Sequence, residues 1–103
     1  MTLRLPRVHQ APPPPVGSVA HISGAVTHTD WEDCSTYLES QGYVVRPPSP
    51  DLRENIQSVC AADFVVVLPG WEFHNASNVE TSVARALKMP VLACRTLLPV
   101  FLA

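Results

Sequence analysis

Four short apolar runs, separated by stretches with helical spacing, set the rhythm of this chain. Val19 to Ser23 forms a first strand ending at Gly24, Tyr43-Val44-Val45 a second, Phe64 to Leu68 a third and Pro90 to Cys94 a fourth. The third run shows no alternation, so both faces of that strand are expected to be covered, as in a parallel sheet with helices on each side. Between the strands, Thr29 or Asp30 is expected to cap a helix from Trp31 to about Gln41. Its Trp31, Cys34, Tyr37 and Leu38 recur at spacings of three and four and make one apolar stripe. Gly42 stops that helix. Pro47, Pro48 and Pro50 make a rigid turn, after which Asp51 and Glu54 have the spacing of a capping box for a helix through Ala61, with Ile56, Val59 and Cys60 facing inward. A third helix is predicted from about Asn78 to Lys88. Alternating units of this kind require right-handed crossovers, so the predicted class is α/β with a parallel sheet in the order 2-1-3-4. The ligand crevice of such a sheet lies at the carboxyl ends of strands one and three, where the winding reverses.

The two ends of the chain read differently from its middle. Residues 1–18 contain Pro6 and the run Pro12-Pro13-Pro14-Pro15, which cannot donate backbone hydrogen bonds and favours an extended conformation. This predicts a flexible arm with no core to join, and a folded domain over 19–103. The apolar run Leu97 to Leu102 is broken by Pro99 and reads either as a fifth edge strand or as an apolar patch.

Composition narrows the function classes. The chain has 103 residues, enough for one domain, and its 47% hydrophobic content supplies a core. The net charge is −2 and the basic residues are scattered, so there is no stripe of the kind that neutralises a phosphate backbone; a nucleic-acid polymer is not an expected partner. Cys34, Cys60 and Cys94 are odd in number and lack metal-ligand spacing, which predicts buried thiols in a reducing compartment. No run approaches the ~18 apolar residues of a membrane span. The expected location is the cytoplasm, with no membrane partner, and nothing in the sequence calls for a metal or cofactor.

Candidate chemistry concentrates after the third strand. Gly24 and Gly70 each follow a strand, where the missing side chain allows either a close backbone approach to a ligand or a turn with positive φ. The helix beginning near Asn75-Ala76-Ser77-Asn78 offers free amides and a dipole suited to a phosphate or carboxylate, with Asn75 and Ser77 adding side-chain bonds and Arg46 a cation from strand two. Glu80 places a carboxylate beside that crevice. Yet Ser77-Asn78-Val79-Glu80 is itself a capping box, and that role accounts for Glu80 without any chemistry. His74 reads equally as a solvated loop histidine and Trp71 as packing. Asp63 lies at the amino end of its strand, away from the crevice, and is expected to be structural.

Several segments together carry a resemblance. His21-Ile22-Ser23-Gly24-Ala25-Val26-Thr27, Gln41 to Pro47, Ala62 to Glu72 with its Leu-Pro-Gly-Trp-Glu step, and the Glu80 helix resemble the small nucleoside 2-deoxyribosyltransferase-like proteins of phage and bacterial genomes. These are relatives of the 2'-deoxynucleoside 5'-phosphate N-hydrolases, and the likeness runs from about Val19 to Val100. The resemblance implies a flavodoxin/Rossmann-like three-layer fold and N-glycosidic chemistry. In it Glu80 attacks the anomeric carbon, and Ser77 and Asn75 hold a 5'-phosphate. It also implies a dimer or larger homo-oligomer, with the Leu97 to Leu102 run against a second subunit where the chain stops short of a covering helix. Family positions differ here. His21 stands where a tyrosine is usual, Asn55 where an acid positions or protonates the base, Ala76 where a glycine is usual, and His74 where transferases have Asp and hydrolases Ser. A histidine side chain can donate and accept a proton, so His74 can take over general-acid duty, whereas the Asn55 amide cannot. The expected site therefore comprises Glu80 and His74 as catalytic groups, with His21, Gly24, Arg46, Asn55, Gly70, Trp71, Asn75 and Ser77 binding a nucleoside or nucleotide. The alternative expectation is a non-catalytic nucleotide-binding or protein-interaction module on the same fold.

Overall fold

The computed structural model describes residues 13–25 and 27–101. In chain order the elements are β1 (Val19–Ser23), α1 (His28–Ser40), β2 (Val44–Val45), α2 (Leu52–Ala61), β3 (Phe64–Val67), a 3-10 turn at Trp71–Phe73, α3 (Asn75–Ala86) and β4 (Val91–Ala93). All strand pairs are parallel and the sheet runs β2-β1-β3-β4, the doubly wound order predicted from the alternation. This is a flavodoxin/Rossmann-like α/β fold, with helices covering both faces of the sheet.

Local chemistry sets the helix ends. The first helix starts earlier than predicted, because Thr27 rather than Thr29 or Asp30 is the N-cap. Its hydroxyl accepts the Asp30 amide at 3.1 Å and the Asp30 carboxylate accepts the Thr27 amide at 3.3 Å, closing a capping box. Gly42, at φ +92°, ends it as predicted: the Tyr43 amide donates to the Leu38 carbonyl and the Gly42 amide to that of Glu39, the paired bonds of a Schellman motif. Asp51 does cap α2, through the Arg53 amide. The expected capping box is not closed there, because Glu54 instead accepts the Ser49 hydroxyl at 2.5 Å. Asp63 is structural as expected, its carboxylate accepting the Val19 amide at 2.8 Å at the amino end of the sheet.

Because side chains alternate along a strand, β1 and β3 divide their residues between two cores. Ala20, Ile22, Phe64 and Val66 join Cys34, Leu38, Tyr43 and Leu92 on the α1 side. Val65 and Val67 join Val59, Ala84 and Val91 on the α2/α3 side. The same periodicity corrects the expectation for the cysteines. Adjacent helical positions point about 100° apart, so Val59 takes the inward direction of α2 and leaves Cys60 exposed; Cys94 is half-buried and only Cys34 is buried.

Both ends of the described residues touch the domain. The Tyr43 hydroxyl donates to the Pro14 carbonyl at 2.8 Å and the Gly17 amide to the Gly42 carbonyl at 2.9 Å, contacts that a proline-rich composition does not foretell. Residues 1–12 of the expected arm lie outside the described residues. At the other end the apolar run folds back on its own sheet: Leu92 and Pro99 form an isolated antiparallel bridge, and the Val100 amide reaches the Val91 carbonyl. With Pro99 at its centre the run makes a bridge rather than a fifth strand. Phe101 then packs edge-on against Trp71 and under the Arg85 guanidinium, 4.0 Å from the ring centroid.

Candidate functional site

On its α2/α3 face the sheet changes from apolar at β3 to polar at β1. The register sets His21 opposite Val65 and Ser23 opposite Val67, so two polar side chains of β1 sit beside two valines of β3 on one face. The helix above answers in kind. The inward stripe of α3 is Ser77, Glu80, Thr81 and Ala84, at helical spacing, with Ser77 and Glu80 bonded to β1 and Ala84 in the apolar core.

Those groups bond to one another. The His21 Nε2 lies 2.5 Å from the Glu80 Oε1, with the two residues 3% and 5% exposed. The other ring nitrogen, Nδ1, meets the Ser58 hydroxyl of α2 at 3.2 Å, which fixes the orientation of the ring from both sides. Ser23 and Ser77 share a hydroxyl–hydroxyl bond of 2.7 Å. The Glu80 Oε2 has no hydrogen-bond partner among the described residues, and no buried side-chain polar atom there is left unpaired. Glu80 itself is among the residues that line the cavity over the pair.

This arrangement overturns the capping reading of Ser77 and Glu80. The N-cap of α3 is His74, three residues earlier than the sequence motif implies, so both residues fall inside the helix. Ser77 bonds to β1 and Glu80 to His21. The earlier start follows from the 3-10 turn, whose final bond, the His74 amide to the Trp71 carbonyl, delivers the chain directly into α3. Asn78 braces this junction, its amide donating to the Glu72 and His74 carbonyls. No side chain caps the helix at His74.

A cavity of about 250 Å³ opens over the pair. Of the expected site residues, His21, Gly24, Asn55, His74, Ser77 and Glu80 line it; Arg46, Gly70, Trp71 and Asn75 do not. Trp71 is occupied by packing on Phe101. Gly70 has φ +85° with open space where a Cβ would be, so its role is the turn into Trp71. Gly24 combines both requirements: φ is +88°, and a Cβ would stand 2.6 Å from that of Trp71, so the neighbour it makes room for is the Trp71 loop. Asn55 uses both ends of its amide on Ser49, accepting its N–H at 3.0 Å and donating to its carbonyl at 2.7 Å, and thereby pins the proline turn as one wall.

Sequence reading missed Ser23, Ser58 and the wall residues Trp31, Pro48 and Ser49. The period of two along β1 already placed Ser23 on the His21 face, whereas Ser58 shows no signal of its own. Ser58, His21 and Glu80 form a chain of hydroxyl, imidazole and carboxylate, the groups of a serine-nucleophile triad. Ser58, however, is not in the cavity wall, and Glu80 is. Of the two ends of this chain, the carboxylate is the one in the cavity wall. Among the described residues no cluster of His, Cys, Asp and Glu is arranged to hold a metal, and no helix is long and apolar enough to cross a membrane.

Comparison with models of known families, with curated proteins and with solved structures finds no match. The fold is compatible with nucleotide binding at its switch point.

Proposed function

We propose that this chain is an N-glycosidase of nucleosides or nucleoside 5'-monophosphates, with Glu80 as the nucleophile. The observation that carries this reading is a carboxylate bonded through one oxygen to His21 and lining the cavity beside it. A fixed carboxylate facing a sugar-sized cavity suits a retaining displacement. Glu80 forms an ester bond to the anomeric carbon as the N-glycosidic bond breaks, the bonding pair leaves on the base nitrogen, and a proton must reach the base. His74, in the cavity wall, is the group for that proton transfer. Water then attacks the anomeric carbon, its proton passes to His74, and the C–O bond to Glu80 breaks to release the carboxylate. His21 acts as a positioning residue, holding Oε1 so that Oε2 faces the sugar.

A 5'-phosphate belongs at the start of α3, where Ala76 and Ser77 line the cavity and no side chain caps the helix. The likeness of the Leu68 to Glu72 segment and of the Glu80 helix to nucleoside 2-deoxyribosyltransferase-like proteins supports the same substrate class. One observation favours a second reading, a nucleotide-binding module without turnover: Asn55 offers no acid and spends its amide on Ser49. Incubation with a panel of deoxynucleosides and their monophosphates, followed by chromatography for free base, separates the two. Base released by the parent protein and not by Glu80→Gln establishes the enzyme; saturable binding of a monophosphate without release establishes the module.

A further inference from the structure

On the α1 side of the sheet, away from the carboxylate, two thiols meet. Cys34 of α1 and Cys94, the residue after β4, bring their sulfurs to 2.9 Å across 60 positions of sequence. A disulfide bond is about 2.05 Å long, so joining them asks for about one ångström of movement. They share the wall of a cavity of about 280 Å³ with Asp30, Asp33, Leu68 and Arg95, which gives a small oxidant a way in. Their surroundings differ. Cys94 is half-buried, whereas Cys34 is 1% exposed. Burial pushes the Cys34 thiol far up from its ordinary value; the hydrogen bond and charge of Cys94 push it further, against a smaller opposing pull from Arg95.

We propose that Cys34 and Cys94 are an oxidative modification site, at which a peroxide converts the two thiols into an intramolecular disulfide. The Cys94 thiolate attacks one oxygen of hydrogen peroxide, gaining an S–O bond as the O–O bond breaks; the departing hydroxide takes up a proton to become water, and Cys94 becomes a sulfenic acid. The Cys34 sulfur then attacks the Cys94 sulfur, the S–S bond forms, and the sulfenic hydroxyl leaves with the Cys34 proton as a second water. Two thiols are oxidised and one peroxide is reduced to two waters. The bridge clasps α1 to the end of β4, and Trp31, one helical turn before Cys34, is thereby fixed as a wall of the carboxylate's cavity. The chemistry does not depend on the activity proposed for Glu80.

The test uses the full chain carrying Cys60→Ser, which removes the exposed thiol and with it disulfide-linked dimers. After limited hydrogen peroxide and alkylation at acid pH, the expected result is loss of both remaining thiols, a cross-linked peptide joining residues 34 and 94, and a raised Tm that dithiothreitol restores. In a second variant that also carries Cys34→Ser, Cys94 is expected to pass on to sulfinic acid, for want of a resolving thiol. The proposal is overturned if the Cys60→Ser protein keeps both thiols under peroxide that oxidises an unstructured cysteine peptide, or if Cys94 becomes sulfinic while Cys34 remains a thiol.

Discussion

On the α1 side of the sheet, β1 presents Ala20 and Ile22 to Cys34, Leu38 and Phe64; on the other side its neighbours His21 and Ser23 face Ser58, Ser77 and Glu80. One strand of five residues thus contributes to a continuous apolar core and to a buried polar network. The difference shows what each face does. The apolar face gains stability from area removed from water, which is nondirectional. The polar face holds groups whose desolvation is unfavourable unless each finds a partner, and it returns fixed geometry: an imidazole held at both nitrogens and a carboxylate held by that imidazole in the cavity wall.

The comparison breaks most sharply at Glu80. Glu80→Gln keeps the size and the contact with His21 but removes the proposed nucleophile, so base release should fall at least about a thousandfold, roughly 4 kcal/mol of barrier, with the urea midpoint near that of the parent. A variant hydrolysing at the parent rate would exclude the carboxylate from the mechanism. Leu38→Ala, on the opposite face, should do the reverse. Loss of a fully buried leucine costs about 2–5 kcal/mol in urea unfolding, and base release per folded molecule should stay at the parent level.

Ser77→Ala tests whether the polar face supports both fold and ligand. It leaves the buried Ser23 hydroxyl without its partner, a loss of about 1–3 kcal/mol. Calorimetry should also show a nucleoside monophosphate weakened about tenfold, with the parent nucleoside unaffected; equal weakening of both would remove the phosphate from the start of α3. The smallest effect is expected from Tyr43→Phe. The ring keeps its edge-on contact with Phe64, at 5.0 Å between centroids, and loses only the bond to Pro14. A change of about 0.5–1.5 kcal/mol in urea unfolding follows. No change at all would mean that the Pro14 contact contributes nothing to holding residues 13–18 on the domain.

Much of this architecture is legible from the residues alone. The unbroken apolar run at Phe64 to Val67, the glycine stop at Gly42 and the alternation of strands with helical stripes lead to four parallel strands in the observed order. These features are local: periodicity and backbone preference act within a few residues of themselves. Ser77 and Glu80 show the limit of such reasoning. Their spacing satisfies a capping box, a local motif, but their bonds go to Ser23 and His21, 54 and 59 positions away. The helix start moved to His74 because the 3-10 turn before it, itself unpredicted, brought the chain in earlier. Arg46, Asn75 and Trp71 were reasonable neighbours of the crevice by element order, but element order does not decide whether a side chain forms the wall of a cavity. The cysteines make the same point, since their separation in sequence gave no sign that two of the three touch. The sequence by itself determined which segments are strands and helices and which face of each is apolar, because those are properties of short-range spacing. Only the tertiary structure decided which polar groups meet, because a buried hydrogen bond depends on crossovers that bring distant strands and helices within about 3 Å of one another.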